Sequence, residues 1–146
     1  MQELPHHYLV AADAKATGNV VLSSSGVADL DSAPPAEFGG PGDQWSPESL
    51  LVAAVADCFI LSFRAIARAS RLEWDSLSCK VEGKLDRIDR VTQFTAFDVT
   101  ATLDIPQDTD ASKAHRLLEK AEQACLITNS LKAESHLKAI VRESAK

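Results

Sequence analysis

The side chains with chemistry of their own are three thiols, Cys58, Cys79 and Cys125. A thiolate attacks peroxides and disulfides, and two thiols within reach of each other can close and reopen a disulfide. The four histidines add little. His6 and His7 are neighbours near the N-terminus, while His115 and His136 fall on separate elements, and with the cysteines they make none of the spacings of a tetrahedral metal site. Neither a metal nor another cofactor is expected. The sequence has no glycine-rich phosphate loop after a strand and no Gly-x-Ser-x-Gly turn of a serine hydrolase.

Each thiol depends on the element that carries it. Cys58 lies midway along residues 46–67, SPESLLVAAVADCFILSFRAIA. Ser46 can cap free amides, Pro47 suits a first helical position and Glu48 complements the positive end of the helix dipole. From Leu50 to Phe63 the only charge is Asp57, so the helix is apolar on nearly all sides and belongs in a core. That apolar run is shorter than the roughly 20 residues that span a bilayer.

The other elements are read in the same way. Tyr8–Asp13, Asn19–Leu22 and Val27–Leu30 are short β-prone runs separated by turn residues, which predicts a three-stranded meander. Residues 34–47, PPAEFGGPGDQWSP, hold four of the six prolines and three of the six glycines, and form a long irregular loop anchored by Phe38 and Trp45. Such a loop is a surface connector or the wall of a pocket. Leu77–Leu85 and Phe97–Ile105 alternate apolar and polar residues as half-buried strands do, and Ile88–Gln93 joins them. Asp110 caps a second helix whose apolar face is Ala114, Leu117, Leu118, Ala121, Ala124 and Cys125, and His136–Arg142 is a last strand. The order βββ–α–ββ–α–β, with a long buried central helix, is an α+β fold, expected as one domain over residues 1–146.

Cys79, on the apolar face of its strand, reads as core packing. For Cys58 and Cys125 burial is the ordinary reading, because free cysteine is among the most buried residue types. The alternative is a redox pair. Cys125 falls in the last turn of the second helix, before the polar Thr128, Asn129 and Ser130, and if the two helices pack the thiols can meet.

Composition narrows the partners. The chain has 146 residues, and 15 basic against 21 acidic side chains give a net charge of −6, which argues against nucleic acid or an anionic membrane as partner. No basic N-terminal region runs into an apolar stretch, and the cysteines are too few for a disulfide framework. The cytoplasm is the expected location.

Two segments carry a family likeness. Pro47-Glu48-Ser49-Leu50-Leu51-Val52-Ala53-Ala54 with Asp57-Cys58-Phe59 resembles the first cysteine segment of the OsmC/Ohr family. Cys125-Leu126-Ile127-Thr128-Asn129-Ser130-Leu131-Lys132-Ala133-Glu134 resembles its second. The resemblance covers nearly the whole chain. It implies the OsmC-like fold, an intertwined homodimer and a thiol peroxidase that reduces organic hydroperoxides with an external dithiol as reductant. On that likeness Cys58 is the peroxidatic cysteine, Cys125 the resolving one and Glu48 the active-site carboxylate, with Phe59, Phe38 and Trp45 lining the substrate pocket.

Three positions depart from the family pattern. An arginine is usual in the turn between the first two strands, where it supplies the positive charge a buried thiolate needs. Here the turn reads Ala14-Lys15-Ala16-Thr17-Gly18, so Lys15 is the nearest substitute, with Arg64, Arg68 or a partner subunit's arginine as alternatives. Asp57 stands where a small residue is usual, and Leu126 where proline is. A non-catalytic binding or redox-sensing protein on the same fold is the competing reading.

Overall fold

In the computed structural model, which describes residues 2–144, the chain divides into two compact units, Met1–Leu50 and Leu51–Lys146. The first is an antiparallel meander of β1 (Ala11–Asp13), β2 (Val20–Ser23) and β3 (Leu30–Ser32). The first strand is shorter than expected, and the third begins at Leu30 where Val27–Leu30 is predicted. The turn after β2 explains the shift: Gly26 adopts φ 81° and Val27 N–H reaches back to Ser24 O, so pairing resumes only at Leu30, opposite Leu22.

The proline- and glycine-rich loop then folds back on itself. A single 3-10 turn, Ala36–Phe38, ends at Gly39 with φ 86°, and Ala33 N–H donates to Trp45 O at 2.9 Å. A Cβ on Gly40 would sit 1.7 Å from Pro34 O, so only glycine fits there. Ser46 starts α1 (Pro47–Ala69) through a reciprocal cap. Its Oγ accepts from Ser49 N–H at 3.1 Å, and Ser49 Oγ accepts from Ser46 N–H at 2.9 Å.

The second unit packs helices on a three-stranded sheet of order β4–β5–β6, with β4 Ser76–Ile88, β5 Val91–Ile105 and β6 Glu134–Glu143. β4 and β5 are antiparallel and longer than their alternating cores. Ile88–Gln93, predicted as a connection, instead contributes to both strands. Asp89 and Arg90 alone make the turn, both at positive φ (51° and 68°), which is the backbone of a two-residue hairpin with the twist that strands favour. β6 runs parallel to β5, which requires a crossover. α2 (Ala111–Ala124), capped by Asp110 Oδ1 on Lys113 N–H at 3.2 Å, and a four-residue helix α3 (Leu126–Asn129) provide it. A row of partners across the three strands, Ser76, Asp104 and Arg142, ties the register at one end.

The core is built from matching periods. Val55, Phe59, Phe63 and Ala67 recur every fourth residue on α1, the odd residues Phe97 to Ile105 line the inner face of β5, and Ala114, Leu117, Leu118 and Ala121 come from α2. Phe63 meets Trp74 edge to face at 5.4 Å. The core of this chain therefore covers one stripe of α1. Most of its other apolar residues are half-buried, Ala65 and Ala69 are exposed, and Leu61 is 51% exposed.

At 23 residues α1 is longer than the apolar run suggests, and by length and composition it could cross a membrane. Its buried stripe against β5 and α2 identifies it instead as a core helix. A β-bulge at Lys84/Leu85 advances the register so that Phe94 joins Phe97 on the inner face, ring centroids 5.3 Å apart.

Gly83 is the close approach. A Cβ there would lie 2.7 Å from Val52 Cγ2 and 3.0 Å from Phe94 Cε1. Gly83→Ala should push α1 off the sheet and cost about 1–3 kcal/mol, the usual range for overpacking. Urea unfolding measures it, and an unchanged midpoint would show that helix and sheet yield freely there.

Candidate active site

The 3.6-residue period of α1 sorts its side chains. Ala54, Asp57, Cys58, Leu61 and Ser62 follow the i, i+3, i+4, i+7, i+8 spacing of one helix side, next to the buried stripe. With Leu126 and Ile127 they line an open groove of about 430 Å³. Cys58 Sγ lies 3.9 Å from Ser62 Oγ, one turn further on.

The opposite wall comes from the α2–α3 junction. Cys125 is not in the last turn of α2, as the apolar face suggests, but is the linking residue, with ψ at 107°. The break has a local cause. Cys125 N–H still reaches Glu122 O at 3.3 Å, while its carbonyl accepts from Asn129 N–H at 3.0 Å and Thr128 Oγ at 3.1 Å, starting a new helical turn. Leu126 and Ile127 thereby become the first residues of α3, where amides have no intrahelical acceptor. Cys125 itself is 2% exposed, and its side chain is among the neighbours that lower the Cys58 pKa.

These groups decide the state of the thiol. Burial is the largest single influence on Cys58 and pushes its pKa up. Hydrogen bonds from Ile127 N–H, the Cys125 side chain, Ser62 Oγ–H and Leu126 N–H together outweigh it, and the thiol ends below its ordinary 9.0. Within this unit, backbone and side-chain donors are the groups that lower the pKa of Cys58. Leu126 matters particularly, because a proline at its position would have no N–H to give. Cys79 is the contrast: burial first, and then repulsion from Cys125 whenever that thiol is ionised, push it up to about 11. Cys79 itself packs against the core.

Of the residues the sequence singles out, Cys58 and Cys125 come together. Phe59 does not line this groove. One residue on from Cys58 turns the side chain about 100° round the helix, into the core, where it is 1% exposed. Glu48, Lys15, Phe38 and Trp45 belong to the first unit. There Lys15 is exposed and shares a shallow groove with Asp13, Thr17, Asn19 and Val21. Phe38 and Trp45 are 59% and 49% exposed on the irregular loop. Glu48, in the first turn of α1, has its Oε1 buried without a hydrogen-bond partner. Ser62 and the two amides are not among the residues that stand out in the sequence. Ser62 is detectable by its i+4 spacing from Cys58, whereas the amides leave no trace in side-chain types.

Known proteins resemble this chain along most of its length. Residues 40–139 match the family described as OsmC-like protein. An organic hydroperoxide resistance protein of Xanthomonas axonopodis pv. citri is 31% identical over 132 residues, 86% of this chain and 89% of that protein. An uncharacterized protein of Bacillus subtilis, YmaD, is 29% identical over 137 residues, 90% of this chain and 91% of that one. An OsmC-like protein of unknown function from Vibrio cholerae shares the fold with a TM-score of 0.86 at 16% identity, over 93% of this chain and 100% of its own. An organic hydroperoxide resistance protein from Legionella pneumophila does so at 0.74 and 24%, over 95% and 98%.

The two thiols should titrate far apart. In a pH series of alkylation read by peptide mass, Cys58 should inflect below 9.0 and Cys79 at about 11. A common inflection for both would contradict the hydrogen-bond account of Cys58.

Proposed function

The chain belongs to the OsmC-like protein family, and from that membership and the paired thiols we propose that it is a thiol peroxidase reducing organic hydroperoxides. What supports the reading is the place of Cys58 on an apolar groove whose other wall is Leu126 and Ile127, the residues that directly follow Cys125, together with neighbours that lower its pKa. Cys58 thiolate attacks the terminal oxygen of ROOH, the O–O bond breaks, and RO⁻ leaves and is protonated to ROH. Cys58 is then a sulfenic acid. Cys125 sulfur attacks the Cys58 sulfur, water departs, and a disulfide remains. An external dithiol returns both thiols by exchange and is itself oxidised to a disulfide. No cofactor enters this cycle.

The role that the resemblance gives Glu48 is part of the proposal, as are Lys15 as the substitute for the missing arginine and action in the cytoplasm. So is a homodimer. The half-buried apolar side of α1 in the second unit, and Tyr8, Leu9 and Val10 (87%, 86% and 64% exposed) in the first, are surface that a second copy would cover. Sedimentation at micromolar concentration should give a dimer, and a stable monomer would remove this part of the reading.

Steady-state consumption of cumene hydroperoxide with dihydrolipoate or another dithiol tests the activity. Cys58→Ser should abolish it, and Cys125→Ser should permit one turnover and then stop. Failure of the wild-type chain to consume hydroperoxide with any dithiol would favour the non-catalytic binding or redox-sensing reading. Ser62→Ala and Leu126→Pro each remove one donor, so each should raise the Cys58 pKa and slow its reactions at neutral pH about two- to tenfold, the worth of one hydrogen bond. Lys15→Ala, measured beside them, should slow the reaction only if that lysine supplies further charge to the thiolate.

A further inference from the structure

The groove at Cys58 has one charged wall residue. Ala54, Leu61, Leu126 and Ile127 are apolar, Ser62 is neutral, and Asp57 brings a carboxylate beside the reacting sulfur. Asp57 is exposed, and no ion pair or hydrogen bond among the described residues neutralises it. Its charge does not set the state of the thiol, which burial and the donors of α1 and α3 decide. What it does reach is anything that enters the groove.

We propose that Asp57 is the charge-selecting residue of this groove, admitting hydroperoxides with uncharged apolar tails and holding off those that carry a carboxylate. The proposal rests on the peroxidase reading and narrows its substrate class. An anionic headgroup near the groove mouth would stand within about 6–8 Å of the carboxylate. Repulsion at that distance disfavours occupancy about threefold in bulk water, and towards tenfold beside low-dielectric walls. Apart from Asp57, the residues of this unit that line the groove carry no charge to offset it. Because Asp57 is exposed, salt should weaken the discrimination.

Two matched pairs of reagents test this on wild type and Asp57→Asn. Iodoacetate and iodoacetamide differ in charge and alkylate Cys58 without any peroxide chemistry. Linoleic acid hydroperoxide and its methyl ester differ in the same way as substrates. Taking the ratio within each pair cancels any change in the amount of thiolate. In Asp57→Asn the rate with the charged member, relative to its neutral partner, should rise about three- to tenfold in both pairs, and the gain should shrink at high salt. Equal ratios in the two proteins, for either pair, would overturn the proposal. A wild-type chain that consumed neither hydroperoxide would overturn the peroxidase reading instead, and the alkylation ratio would still uphold or overturn Asp57 as the charge-selecting residue.

Discussion

The site depends on a contest at one sulfur. Cys58 is placed by an apolar helix, where desolvation alone would hold it as an unreactive thiol. Two backbone amides, a serine hydroxyl and a second thiol supply enough hydrogen bonding to reverse that. The amides are free only because the chain breaks at Cys125 and restarts as α3. The same break brings Cys125 to Cys58, so activation of the first thiol and proximity of the second have one structural cause.

That arrangement needs α1 and the α2–α3 turn to hold a fixed relation, and the core supplies it. The stripe Val55–Phe59–Phe63–Ala67, the inner face of β5 and the apolar face of α2 form one buried cluster. Gly83 lets the helix lie close to the sheet, and the bulge at Lys84/Leu85 keeps Phe94 on the inner face. Cys79 belongs to this scaffold. Burial raises its pKa to about 11 and keeps it protonated near neutral pH.

The parts of this fold that are legible in the sequence are those with strong periodicity. The strict alternation from Phe97 to Ile105 and the unbroken apolar run around Cys58 give β5 and α1 almost directly. The hairpin at Asp89–Arg90 is not legible, because Asp89 suits positive φ but is followed by Arg90 where glycine is the usual partner. A helix of only four residues such as α3 has no period to detect, and the parallel pairing of β6 depends on a crossover that single-strand patterns do not encode. At the site, Cys58 and Cys125 stand out by residue type and family likeness. Phe59 misleads, since adjacency in a helix separates side chains and aims it at the core. The donors that lower the Cys58 pKa are mostly backbone, and the replacement of proline by Leu126 looks like a loss until its N–H is counted.

The central claim is that Cys58 and Cys125 act as a peroxide-driven pair. The most direct measurement is a single turnover: the reduced chain treated with one equivalent of cumene hydroperoxide, followed by a thiol count and peptide mapping. The account predicts that free thiols fall from three to one and that the new disulfide joins Cys58 to Cys125, leaving Cys79 free. Three thiols remaining after treatment, or a disulfide that includes Cys79, would contradict it.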